Sequence, residues 1–260
     1  MDVLDKPFVE WNEGASRLKA SRGSDGHQVG GGQRGHIKGF SLVSRRRLLQ
    51  LIARVVRDAE LPMFVTLTWP DRFPSPREAK RALRIFIKRL KRRFPKVGLI
   101  WKLEPQERGA PHFHLLVWGV PFAELFDFTV QAWYEIAGGG DIKHRNFHAG
   151  LYYPYRRCVE PVHTFKGVWF YAAKYLGKTF EIENWKWPGR FWGVINPSNI
   201  PFGKFKVALV EEEFLNDLLR YQRRYANQQY RSGQGFTVFC DADQWVKKLE
   251  IQAVGAAGPG

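Results

Sequence analysis

The chain has 260 residues, enough for one substantial core or a core with a small appended region. Lys and Arg number 41 against 25 Asp and Glu, a net charge of +16, which favours a polyanionic partner, with RNA or the ribosome as open as DNA, and indicates a partner rather than an activity. No apolar run is long enough to span a bilayer and no signal-peptide core is present; Cys158 and Cys240 form no spaced metal motif, so the expectation is a soluble protein of a reducing cytoplasm with no membrane partner.

In chain order, residues 1–36 are polar and glycine-rich and read as a mobile arm, ahead of a main domain over 37–250 whose part 196–250 is a possible appended subregion; 251–260 reads as a frayed tail. Ser44 is placed to N-cap a helix burying Leu48, Leu51, Ile52 and Val55. Arg45, Arg46 and Arg47 then lie at the positive end of its dipole, which implies either phosphate contact or a solvated basic turn. Met63–Trp69 reads as a strand whose alternating Thr66 and Thr68 would, in a sheet beside the strand of His112 and His114, turn their hydroxyls to that site or to a phosphate; no chemistry is assigned to them. Ser75-Pro76-Arg77-Glu78 is a capping-box start, and the helix it opens runs to about Phe94 with Leu83, Phe86, Ile87 and Leu90 inward. Its other face carries Arg77, Lys80, Arg81, Arg84, Lys88, Arg89, Lys91, Arg92 and Arg93, with Glu78 its sole acid. So few acids leave little room for a salt-bridged solvent face, and Arg84, Lys88 and Arg92 become candidates for a nucleic-acid backbone.

Leu99–Glu104 and Pro111–Trp118 read as strands joined by a turn-rich loop that includes Arg108, a further DNA-contact candidate. On the second strand, alternation puts His112 and His114 on one face. If the strands form a hairpin, Glu104 stands roughly across from His112 with its carboxylate on the histidine face. Two imidazoles and a carboxylate with open positions can grip a divalent metal; a His-x-His pair satisfied by backbone and water is the plainer account of the histidines alone. Further on, Phe122–Ile136 reads as a helix stopped by Gly138-Gly139-Gly140. Residues 141–155 read as a loop whose His144 and His148 are assigned to DNA contact or plain exposure, and 156–164 as a strand.

The stretch Tyr171-Ala172-Ala173-Lys174-Tyr175-Leu176-Gly177-Lys178 places Tyr171, Lys174, Tyr175 and Lys178 on one helical face. Trp185–Trp192 mixes tryptophans with basic residues, read as part core and part stacking platform. Lys204–Val210 reads as a strand, Glu211–Tyr230 as a helix and Gly235–Cys240 as a last strand.

Three motifs in this order resemble the HUH endonucleases that initiate rolling-circle replication: Phe64-Val65-Thr66-Leu67-Thr68-Trp69-Pro70, then Glu104 with Gly109-Ala110-Pro111-His112-Phe113-His114, then Tyr171-Ala172-Ala173-Lys174-Tyr175. The likeness covers roughly residues 38 to 210 and is nearest the two-tyrosine initiators of small single-stranded DNA phages, with the filamentous-phage gene II type alongside. It implies an α+β fold with a central antiparallel sheet of about five strands flanked by helices. It also implies a divalent metal, Mg or Mn, on His112, His114 and Glu104; Tyr171 as first nucleophile; Tyr175 as a second nucleophile or a core residue; and a catalytic role for Lys174, with Lys178 on phosphate. The implied partner is single-stranded DNA at an origin hairpin. The chain contains no G-x-x-x-x-G-K-[ST] loop, so unwinding would fall to a separate helicase, working with a polymerase. The rival readings are a transposase or relaxase built from the same parts, a non-catalytic single-strand-binding protein, and a two-histidine, one-carboxylate iron oxygenase.

Overall fold

The computed structural model describes residues 8–12, 17–21, 37, 39–152, 157–164, 168, 180–181, 185, 188–211, 213–214, 216–217, 220 and 236–239. Its strands are β1 (Phe8–Asn12), β2 (Arg17–Ser21), β3 (Gly39–Phe40), β4 (Met63–Leu67), β5 (Gly98–Pro105), β6 (Pro111–Trp118), β7 (Val159–Pro161), β8 (Phe180–Glu181), β9 (Trp192–Ile195), β10 (Phe205–Leu209) and β11 (Phe236–Phe239). The helices are α1 (Leu42–Ile52), α2 (Pro76–Arg93), α3 (Phe122–Trp133) and α4 (Ile142–His148); a π-helical turn, Tyr134–Gly138, prolongs α3. The chain divides into two compact units.

The larger unit, Arg34–Leu49 with Ala59–Pro201, is built on an antiparallel sheet of five strands in the order β7-β4-β6-β5-β9. This is the expected α+β architecture, and the histidine strand β6 is its middle member. All eight residues of β6 are buried, which explains why apolar side chains appear on both of its faces. Phe113 packs against Trp69 and Trp101 at ring distances of 5.9 and 6.2 Å, and Trp69 meets the edge of Trp133 from α3 at 4.7 Å. From α2, Phe86 closes on Trp133 and Phe128 at 5.9 and 5.6 Å. This aromatic chain seals α2 and α3 to one face of the sheet; each such buried side chain stabilises by roughly 1.5–3 kcal/mol. The other face of β6 carries His112 and His114, followed by Leu116 and Trp118.

Local sequence fixes α2 as anticipated. Ser75 Oγ accepts the Glu78 N–H, the Ser75 N–H donates to Glu78 Oε2 at 3.0 Å, and Pro76 opens the helix. Lys80 departs from the expected basic face. It turns inward, donates to the Pro188 carbonyl and lies 5.8 Å from the Phe191 ring; burial, with Arg190 nearby, lowers its pKa to about 8. For α1, the start lies three residues before the position expected: Ser41 accepts from the Ser44 N–H through Oγ, while the Ser44 hydroxyl accepts from Trp192 Nε1 at 2.9 Å. Either serine satisfies the capping pattern, and the tryptophan claims Ser44.

Where the stretch 185–192 is described, Trp185, Pro188 and Phe191 are buried, Trp192 is half-buried, and Gly189 and Arg190 are exposed. Trp185 is buried, donates to the Gly109 carbonyl and stacks on buried Phe191 at 6.5 Å.

The second unit, Met1–Gln33 with Gln50–Asp58 and Phe202–Gly260, carries an antiparallel sheet in the order β10-β1-β2-β11. Strands β10 and β11 match the expectations for 204–210 and 235–240. Strands β1 and β2 fall inside the stretch read as a polar arm. Their pairing with strands from the opposite end of the chain is a non-local event that composition does not reveal.

Candidate metal centre and its surroundings

The β5–β6 hairpin sets the site. Its register places Glu104 across from His112 and Lys102 across from His114. The turn closes with the Gln106 N–H donating to Ala110 O at 2.9 Å and the Gly109 N–H to Gln106 O at 2.8 Å; Gly109 has φ +82, where a side chain would be strained. One ligand atom from each of Glu104, His112 and His114 can be chosen so that all lie within 4.8 Å of one another. Donors on neighbouring positions of one divalent ion stand about 3 Å apart, so this trio needs only a small contraction to close on an ion. Two imidazoles and a carboxylate suit a first-row divalent cation or Mg²⁺, and an ion there would supply Lewis-acid polarisation of a phosphoryl oxygen.

Each donor is oriented by a neighbour. His114 Nε2 donates to Glu104 Oε1 at 2.9 Å, and its Nδ1 lies 3.5 Å from Thr66 Oγ1 on β4. The Phe64 ring stacks on His114 at 5.3 Å. Gln106 Nε2 donates to His112 Nδ1 at 3.3 Å. Lys102 Nζ donates to the second carboxylate oxygen, Glu104 Oε2, at 3.1 Å.

These contacts fix the charge states. Burial pushes the Glu104 carboxyl up, but the hydrogen bond and charge of His114, reinforced by Lys102, outweigh it and hold the pKa at about 2. Burial, aided by His114, lowers His112 to about 3, so its imidazole is neutral at physiological pH and has a lone pair to give.

A second pair of histidines borders this face and corrects the expectation for 141–155. His144 and His148 lie on α4, one helical turn apart, and both are buried rather than exposed in a loop. Asp141 caps α4, accepting from the Lys143 and His144 N–H groups. The i, i+4 spacing then turns both rings inward onto Thr68. Thr68 O accepts from His144 Nε2 at 3.0 Å and from Trp133 Nε1 at 2.6 Å. His148 Nδ1 donates to His144 O at 3.0 Å, leaving Nε2 to accept from the Thr68 N–H at 3.3 Å. Burial lowers His148 to about 4.

The remaining candidates divide as follows. Arg84, Lys88 and Arg92 are exposed on α2, Arg46 is exposed on α1 and Arg45 is half-buried there. The Arg108 guanidinium donates to the Trp69 and Pro70 carbonyls, bracing the hairpin turn against the end of β4. Tyr171, Lys174, Tyr175 and Lys178 lie outside the described residues. The sequence reading passed over Lys102 and Gln106; it turned the Thr66 and Thr68 hydroxyls toward the site or a phosphate without naming the histidines they meet. Lys102 had a signal: it is a charged residue two positions before Glu104 in an otherwise apolar strand.

A two-histidine, one-carboxylate trio on the central hairpin of an antiparallel sheet defines the class of site. Residues 62–180 match the family model for replication-associated proteins of the ORF2 and gene II protein type, so the chain is similar to replication-associated proteins over that stretch. The match contains β4, the whole β5–β6 hairpin and the segment bearing Tyr171, Lys174 and Tyr175. No curated protein matches the chain.

Proposed function

We propose that this chain nicks and rejoins single-stranded DNA by tyrosine transesterification, initiating and terminating rolling-circle replication. The carrying observation is the Glu104–His112–His114 cluster on the hairpin, inside the stretch similar to replication-associated proteins. The resemblance of the motifs to HUH endonucleases points the same way.

In this reading Glu104, His112 and His114 would hold Mg²⁺ or Mn²⁺, and a bound ion would supply Lewis-acid polarisation of the scissile phosphate. The Tyr171 oxygen attacks phosphorus in line; the new bond is a 5′-phosphotyrosine, the bond to the 3′ oxygen breaks, and the phenolic proton ends on the released 3′-hydroxyl. Lys174 offsets the developing negative charge. Tyr175 serves the second cleavage, after which the phosphodiester is passed on. Bond energy is retained throughout, so the chain itself needs no nucleotide. Chain length allows the encounter. Val168 is buried, and the Phe180 ring lies 5.4 Å from Lys102 Nζ, itself hydrogen-bonded to Glu104. Tyr171 precedes Phe180 by nine residues, a span of at most about 30 Å, so the chain is long enough for it to reach the trio.

The α2 face is assigned to the DNA backbone. Arg77, Arg81, Arg84, Lys88 and Arg92 recur at helical spacing along an 18-residue helix. They are exposed, and no carboxylate pairs with them among the described residues. Arg89 and Arg93 on its flank are taken by Glu135 and Glu124.

The deciding experiment is incubation with labelled single-stranded oligonucleotides and Mn²⁺, followed by a search for a denaturation-resistant adduct. Wild type should form one. Tyr171→Phe should form none, and neither should the double variant His112→Ala, His114→Ala. Binding without an adduct in wild type would instead favour a non-catalytic single-strand-binding protein.

A further inference from the structure

Lys102 is a charged side chain with no access to solvent, 0% exposed, in the strand that supplies the carboxylate. Its ammonium is enclosed. Nζ reaches Glu104 Oε2 at 3.1 Å, and the rings of Phe40 and Phe180 lie 4.8 and 5.4 Å away. Those two phenylalanines face each other in the β3–β8 ladder, so a separate two-stranded ribbon contributes the aromatic walls. Across the hairpin its register partner is His114.

Burying an ammonium is costly, and a fold that needed only bulk here would be served as well by an apolar side chain of like size. The rings offer cation–π attraction and the carboxylate offers charge, so the box is built for a cation. No substrate can reach it.

We infer that Lys102 is a positioning residue of the metal centre: it holds Oε2 of Glu104, presents Oε1 alone to the ion, and supplies a positive charge that loosens the ion's hold. This rests on the metal-dependent reading above. Two imidazoles that give their lone pairs to an ion, with one carboxylate, carry a charge of −1; among the described residues the Lys102 ammonium offsets it. A dication therefore enters a site of no net charge and remains short of negative partners. A DNA phosphate provides the missing charge, so ion and strand strengthen one another's binding.

The test is Mn²⁺ titration of the apo chain by electron paramagnetic resonance at fixed pH and salt. It uses wild type, Lys102→Met, which keeps the volume, and Lys102→Gln, which also keeps a donor for Oε2. Thermal melting confirms that each is folded, and either folded variant suffices. Both should bind Mn²⁺ roughly tenfold more tightly than wild type, since a repelling charge close to a dication is gone. Adding a single-stranded oligonucleotide, in a Tyr171→Phe background to prevent cleavage, should tighten Mn²⁺ binding in the Lys102 chain and do so less in the variants. Ion uptake by wild type with equal or weaker affinity in the variants overturns this inference alone. A wild type that takes up no ion, or keeps its affinity after His112→Ala, overturns the metal-dependent reading as well.

Discussion

The imidazole of His148 is pinned to Thr68: its Nε2 accepts the Thr68 N–H at 3.3 Å and stands 3.2 Å from the Thr68 hydroxyl. The lone pair must stay free of a proton for this contact. Burial lowers the folded pKa to about 4, below the ordinary value near 6.5, so the unfolded chain binds more protons in that window. The contribution to stability is complete above about pH 6.5 and is lost as pH falls toward 4. The thermal midpoint in chelator should therefore drop over this range, and His148→Gln should flatten the drop. An unchanged profile in the variant would show that other groups govern the acid limb.

Thr66 Oγ1 stands 3.5 Å from Nδ1 of His114, one of the three residues proposed to hold the ion. Replacing Thr66 by Val keeps the shape and removes the oxygen. Mn²⁺ affinity measured by calorimetry should fall by about tenfold or more, with little change in melting temperature.

The exposed row on α2 should act through charge alone. The triple variant Arg84→Ala, Lys88→Ala, Arg92→Ala should weaken oligonucleotide binding. It should also lower the slope of log K against log salt by about 0.7 for each single-strand phosphate that is no longer neutralised. Fluorescence anisotropy over a salt series measures both. Arg93→Ala, already paired with Glu124, should change the slope far less.

Gly193 on β9 leaves no room for a methyl group: a Cβ there would stand 2.8 Å from Trp101 Nε1. Because Trp101 is wedged between β9 and Phe113, Gly193→Ala should cost about 1–3 kcal/mol in urea unfolding.

What the sequence made legible was whatever repeats at short range. Alternation marked β5 and β6, and so placed Glu104 against His112; the capping box marked α2 to within a residue. The short strands β1 and β2 pair with each other, but they escaped because the strands that flank them, β10 and β11, lie at the other end of the chain. His144 and His148 were misplaced although their spacing was helical, since the glycine run before them weighed more than the cap at Asp141. Lys102 could not be interpreted from its own strand, because Phe40 and Phe180 come from distant segments.

The pleat of the central hairpin carries one last implication. Donor atoms drawn from two adjacent strands share a side only while those strands keep step. An insertion of one residue within β5 or β6 would send one strand's donors through to the aromatic side, dismantling the ion's cage without altering any ligand. A one-residue insertion would leave the three donors on one side only if a β-bulge absorbed it outside the stretch that carries them.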